Sequence, residues 1–267
     1  MKTVAILGTG PAGLVAAHAC KLAGVPFHLF GMGQKSMLGG AQFLHHQIPG
    51  LCGDEPDFHI KYHVVGDRRT YQRKVYGNAE VPFVSFANVS DGELQPAWAL
   101  DKLYDGLWNE IAGGGSSINA MNVTPEILVQ WIEAGTFDVI VSTIPKKELC
   151  LSANGLIVSA HHFWSQEVRV MQECIFETNM APNTIMYDGT PNVSWYRTAL
   201  INGVGSTEWG SGAPEKLPYD TFTLRKPVRT TCTCFEGEVV FTGRHGAWKK
   251  GNLVHHAFVD TWKAVMG

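Results

Sequence analysis

The sequence predicts an α/β fold: a parallel sheet flanked by helices, with a smaller α+β unit inserted into it. Three observations carry this expectation. Residues 3–31 read as strand, glycine turn, helix and second strand. Two later apolar runs, Val139-Ile140-Val141 and Val239-Val240-Phe241, have the composition of strands buried on both faces. Between and before these runs lie segments with the alternation and turn residues of antiparallel strands.

Length and composition bound the reading. The 267 residues, 45% hydrophobic and 17% charged, describe an ordinary globular protein with enough chain for a sizeable core. Twenty-one basic against 24 acidic residues leave a net charge of −3, so there is no general pull toward nucleic acid, although a local basic groove stays open. Six cysteines, at 20, 52, 150, 174, 232 and 234, lack the spacing of a secreted disulfide scaffold. No apolar run reaches membrane-spanning length and the first strand begins at once, so the expected setting is cytoplasmic, with reduced thiols and no membrane partner. Oligomeric state leaves no mark in the sequence.

The opening unit is the most specific. Val4 to Leu7 is a short buried strand, and Gly8, Gly10 and Gly13 follow in G-x-G-x-x-G spacing. Each glycine has a reason. Gly8 permits the tight turn, Gly10 lets the backbone approach a pyrophosphate, and Gly13 lets helix and strand pack closely, while the helix N-terminus points its free N–H groups at the phosphates. Leu14 to Ala23 continues the helix until Gly24, and Val25 to Phe30 is the second strand. This is a Rossmann-like dinucleotide unit. The position after Phe30, where an acid would accept from the adenosine ribose, holds Gly31, which leaves that contact to Gln34, Lys35 or Ser36.

Downstream, Phe58 to Val64 alternates as a strand, and residues 100–111 are amphipathic with a stop at Gly113-Gly114-Gly115. Ile118 to Val123 reads as a strand. Thr124-Pro125-Glu126 caps a helix ending at Gly135, and Phe137 to Thr143 is a buried strand. Asn202-Gly203 between two apolar runs signals a hairpin. Glu238 to Thr242 is a last strand, and a helix closes the chain from about Leu253 to Val265.

Three blocks together, residues 3–44, 118–145 and 238–266, resemble the two-dinucleotide-binding-motif flavoproteins, the superfamily of FAD-dependent amine oxidases and UDP-galactopyranose mutases. The likeness rests on the first glycine motif, the glycine pair Gly39-Gly40 followed by Ala41-Gln42, the strand 138–145 with Thr143, and the terminal block Gly243-Arg244-His245-Gly246-Ala247-Trp248 running through Asn252 into Leu253. It implies FAD as cofactor, held by Gly8, Gly10, Pro11, Ala12, Gly13, Lys35, Gly39, Gly40, Ala41, Gln42, Thr143, Gly243, Arg244, Gly246, Trp248, Asn252 and Leu253. It implies a discontinuous FAD-binding domain from residues 1–50, 113–150 and 236–267, with 51–112 and 151–235 forming an inserted cap. The activity implied is FAD-dependent oxidation of a C–N bond, amine or amino-acid in type, in a small-molecule or tethered substrate. The alternatives are a mutase-like rearrangement without net redox change, flavin chemistry on a nucleobase or nucleic acid, and a non-catalytic dinucleotide-binding protein.

Catalytic candidates are few. His45 follows the Gly39-Gly40 pair and is a candidate base or substrate-orienting group, against a hydrogen-bonded interface histidine. Arg197 lies on the predicted hairpin and would clamp an anionic substrate group, against an arginine packed on Trp195. No metal site is expected. The adjacent pairs His45-His46, His161-His162 and His255-His256 diverge on any regular backbone, and Cys232-Thr233-Cys234, read on one face of a strand, has no second Cys or His pair at zinc spacing beside it.

Overall fold

A computed structural model describes residues 2–77, 89–115, 117–156, 160–175, 179–217 and 220–267. Its first sheet is built from short, mostly apolar segments: β1 (Val4–Leu7), β2 (Phe27–Gly31), β6 (Asn119–Ala120), β7 (Val139–Ser142) and β13 (Val239–Phe241). They lie side by side in the order β13-β7-β1-β2-β6, with every neighbouring pair parallel. Val4, Ala5, Ile6 and Leu7 are wholly buried, because helices cover both faces of the sheet. On one face, α1 (Pro11–Leu22) packs with Val4, Ile6 and the closing helix α6 (Val254–Met266). On the other, α4 (Pro125–Glu133) packs Leu128 against Ala5, Leu7 and Ile140. Thr124 caps α4 by accepting from the Ile127 amide.

The second sheet is larger and mostly antiparallel, with strand order β12-β8-β11-β10-β9-β4-β5-β3. Its members are β3 (Phe43–Leu44), β4 (Phe58–Gly66), β5 (Leu94–Ala99), β8 (Phe163–Gln172), β9 (Thr184–Gly189), β10 (Arg197–Ile201), β11 (Val204–Trp209) and β12 (Phe222–Thr230). Only β4 and β9 pair in parallel. The β10–β11 hairpin turns through Asn202 and Gly203, both at positive φ (50° and 79°), the backbone that an Asn-Gly turn provides. Behind this sheet lies α2 (Arg68–Tyr76), capped by the Asp67 carboxylate, with Lys74 paired to Asp188 of β9 at 2.7 Å in a buried setting.

Several sequence expectations shift. The strand expected over 118–123 is only two residues long, and α2 was not foreseen. Helix α3 (Leu100–Glu110) falls in a stretch assigned to the inserted cap, yet Leu100, Tyr104, Leu107 and Trp108 lie in one core cluster with Val4, Ile6 and α1. Its apolar stripe had a larger buried surface to join on the parallel-sheet side. Conversely, Phe43 and Leu44, assigned to the cofactor domain, form β3 of the antiparallel sheet. Among the described residues, no helix is long and apolar enough to cross a membrane.

Candidate functional site

The order of the parallel sheet places a topological switch beside β1: the chain passes to β2 on one side and returns through β7 on the other. Ligands of such sheets bind outside the carboxyl ends of the strands at that point. A cavity of about 630 Å³ opens there, between the two sheets. That volume is ordinary for a small-molecule or cofactor site.

Its phosphate-sized end is made by the turn after β1. Gly8 adopts φ +105°, and an added Cβ would come within 2.4 Å of Thr143 Oγ1. Thr143 in turn donates both its amide and its hydroxyl to the Leu7 carbonyl (2.8 and 2.9 Å), tying the ends of β1 and β7 together. Gly13 does not border the cavity, because a Cβ there would sit 1.9 Å from the Gly8 carbonyl oxygen, so its role is close helix–strand packing. Gly10 does border it, and the nearest atom to a Cβ there is Ser36 Oγ at 3.7 Å, so the backbone faces open space. With Gly10 as N-cap and no side chain capping α1, the first-turn amides of Ala12 and Gly13 are left for an anion, Pro11 having no N–H to offer. Gly243 brings the short helix α5 (Gly243–Gly246) against this turn, where a Cβ would meet Ala12 Cβ at 2.7 Å.

Gly8, Gly10, Pro11, Ala12, Gly39, Ala41, Thr143, Gly243, Arg244 and Leu253 all line the cavity, as do His45 and Arg197. The remaining predicted contacts do other work. Lys35 pairs with Asp105 and lies over the Tyr104 ring. Gly40 packs over the Glu208 carboxylate, donating its amide to Gln172 Oε1 (3.0 Å), and Gln42 donates to the Gly40 carbonyl. Gly246 lets α5 close on Ser142, and Trp248 is buried with its indole N–H on the Trp164 carbonyl (3.1 Å). Asn252 carries a buried Oδ1 with no partner. The place a ribose-binding acid would occupy at Gly31 is filled, since a Cβ there would come within 2.6 Å of Thr9 Cγ2.

The opposite wall, on the antiparallel sheet, is electrostatically unusual. Glu208 on β11 is 1% exposed and takes Arg197, Lys226 Nζ (2.6 Å) and the Tyr196 hydroxyl on its two oxygens. Burial alone would raise its carboxyl, but Arg197 and then Lys226 outweigh this and hold it ionised, well below the usual carboxylate range. Burial pulls the Lys226 ammonium down to about 8, with Glu208 resisting and Arg197 and Arg244 adding to the fall. Arg244 donates its Nε to the Pro227 carbonyl (3.1 Å) and is itself lowered by burial. Arg197, Lys226 and Arg244 all reach the cavity, whereas Glu208 lies behind them and no Asp or Glu lines it among the described residues. His45 is held down to about 4 by burial and by His46 and Arg197, so it is neutral at pH 7. His255, also lining the cavity, is likewise lowered to about 4. Lys226, Tyr187 and His255 were not among the expected site residues.

Arg197 therefore does not pack as a lone surface arginine: its charge is shared between a buried carboxylate and the cavity. One expectation is corrected outright. Cys232 and Cys234 lie in a turn after β12 rather than on a strand, and the fold brings Cys150 and His161 beside them.

No family model matches the sequence, and no curated protein matches it. Solved structures do match in shape. Reduced UDP-galactopyranose mutase superposes with a TM-score of 0.56 at 12% identity, over 99% of this chain and 95% of that one. Aklavinone-11 hydroxylase, in complex with FAD and aklavinone, gives 0.56 at 12% identity over 99% of this chain and 61% of its own. p-Nitrophenol 4-monooxygenase from Pseudomonas putida gives 0.53 at 11% identity, over 98% and 78%. At such identities the likeness is one of fold: a Rossmann-like parallel sheet joined to a second, largely antiparallel sheet.

Proposed function

We propose that this protein is an FAD-dependent oxidoreductase acting on a substrate that carries an anionic group. The observation that supports this most is the pairing of two walls across one cavity: an uncapped glycine turn and helix start with Arg244 beside them on the parallel sheet, and Arg197 and Lys226 on the antiparallel sheet, with no Asp or Glu lining the cavity among the described residues. Gly8, Gly10, Pro11 and Ala12 would hold the pyrophosphate, and Ser36 borders the cavity beside them. Arg244 with the Leu253 and Val254 end of α6 would hold the rest of the cofactor, the helix end favouring negative charge. The structures of similar shape include one solved with FAD and one of a mutase in its reduced form. When bound, FAD supplies reversible hydride chemistry; the chain supplies position and field.

The field narrows the substrate. A simple alkylammonium is repelled by Arg197, Lys226 and Arg244, whereas a carboxylate or phosphate is attracted. Within the C–N oxidation reading this favours amino-acid-type substrates over plain amines, with Arg197 and Lys226 on the anionic group. Neutral His45, within the same cavity, can orient the substrate amine by a hydrogen bond, because its low basicity keeps it uncharged. A mutase-like reading is kept because a nucleotide sugar satisfies the same cations, and because the mutase likeness spans nearly the whole of both chains.

The test starts from purified protein reconstituted with FAD. We expect a flavin spectrum, FAD rather than FMN released on denaturation, and anaerobic bleaching by amino acids but not by alkylamines. Turnover of a nucleotide sugar only after dithionite reduction would select the mutase reading instead. Failure to bind FAD at all would overturn both.

A further inference from the structure

Outside the cavity, four side chains converge that no step of flavin chemistry uses. Cys150 lies in the turns that follow β7, as the chain leaves the parallel sheet. His161 stands just before β8, and Cys232 and Cys234 lie between β12 and β13, where the chain returns. Their ligand atoms, Sγ of the three cysteines and a ring nitrogen of His161, all lie within 4.8 Å of one another. His161 Nδ1 is 3.2 Å from Cys150 Sγ and 3.6 Å from Cys234 Sγ. The three cysteines are buried and none is in a disulfide.

We propose that these four residues form a tetrahedral Cys₃His zinc site that clasps the two crossings between the sheets. Ligands at roughly 2.0–2.3 Å around a tetrahedral ion stand about 3.5–3.8 Å apart, so the observed separations need only a small contraction onto the metal. Soft thiolates with one imidazole are the donor set of zinc. Four protein donors leave no open position, so the site is structural rather than catalytic. Burying three thiols as mere small hydrophobes would not place an imidazole nitrogen between two of them. The Ala153 amide also points at Cys150 Sγ (3.5 Å), a donor that suits a thiolate.

The position explains what the ion would do. Cys150, Cys232 and Cys234 belong to the apolar cluster on the α4 face of the parallel sheet, with Ile140, Leu128 and Val239. Closing residues 150 and 234 onto one ion pins both ends of the segment that carries β8 to β12. That segment supplies Arg197 and Lys226 to the cavity, so the clasp holds the cationic wall against the cofactor wall without touching either.

The experiment is metal analysis of the full chain, produced with zinc supplied and purified without chelator. One zinc per chain is expected. It should be released to a colorimetric chelator in step with mercurial modification of three thiols, and lost from Cys234→Ser and from His161→Gln. Because these variants can fail to fold, cobalt substitution of the wild type is the second measurement. Tetrahedral thiolate sites give intense d–d bands to the red of flavin absorption, and these should appear with one equivalent. A chain that is fully folded yet takes up neither zinc nor cobalt would overturn the proposal, as would a disulfide among the three cysteines found by mass spectrometry.

Discussion

Glu208→Gln removes one charge and almost no volume, which makes it a direct probe of the cationic wall. In the native chain Glu208 is the shared counter-ion of Arg197 and Lys226. Glutamine still offers an oxygen to the Tyr196 hydroxyl, so the loss is electrostatic rather than steric. Removing one partner of a buried ion pair costs about 3–5 kcal/mol, because the other charge is left uncompensated. Against an ordinary stability of about 5–15 kcal/mol, that is a large fall in the urea midpoint of the apo-protein, followed by tryptophan fluorescence. The pH dependence has a definite sign. Lys226 already titrates at about 8 in the folded chain, below its ordinary value of 10.5, so its penalty on folding fades as the pH rises between those values. Without Glu208 its pKa drops further and the fading begins at lower pH. The variant should therefore recover part of its deficit between pH 7 and pH 9, and Glu208→Gln combined with Lys226→Met should recover part of it at pH 7. A deficit below about 1 kcal/mol, or one equal at both pH values, would refute the argument that this carboxylate holds two buried cations.

Three further outcomes are expected. Gly10→Val should leave the apo-fold intact, since its backbone is extended and its Cβ direction open, yet weaken FAD at least a hundredfold by fluorescence titration; Gly13→Ala should instead lower the apo-protein's melting temperature sharply, because the new methyl meets the Gly8 carbonyl. If the two variants behave alike, the glycine roles are wrongly divided. Arg244→Ala should weaken FAD by about ten- to a hundredfold, the worth of a charge-assisted phosphate contact, and an unchanged dissociation constant would remove Arg244 from the cofactor wall. Gly31→Glu should destabilise rather than tighten cofactor binding, because Thr9 occupies the space; tighter FAD is expected only when Thr9→Gly accompanies it, and tightening by the single substitution would show that Thr9 yields freely.

How much of this was legible in the sequence follows the range of each interaction. The Rossmann-like unit was readable because all its determinants are local: the strand, the glycine spacing and the helix lie within thirty residues, and Gly8, Gly13 and Thr143 meet only across adjacent parallel strands. β12 carries charged residues on both faces, Arg225 on one and Lys226 on the other, and β8 alternates clearly only over Glu167-Val168-Arg169-Val170, so neither stands out as a strand in the sequence. α3 was read correctly as a helix but attached to the wrong sheet. An amphipathic stripe says how much surface must be buried and is silent on which partner buries it.

The two clusters that matter most for function show where local reading stops. Counting outward from Asn202-Gly203 in a two-residue hairpin places Arg197 opposite Glu208, and that is the observed register. The ion pair behind the cationic wall was therefore available from the turn alone, whereas its third member, Lys226, reaches Glu208 only because β8 separates β11 from β12 in the sheet. The cysteine cluster lies further still from local inference. Cys150 and Cys232 approach because β7 and β13 are neighbours in the parallel sheet, and the segments that follow β7 and precede β13 both pack on its α4 face. A motif search over sequence spacing sees Cys232 and Cys234 without partners, but the topology that brings β13 to β7 carries their partners to them. The same closure that assembles the proposed zinc ligands aligns Arg244, which follows β13, with Thr143, which follows β7, at the mouth of the cavity. Loss of the clasp should then disturb cofactor binding only through the position of β7 and β13.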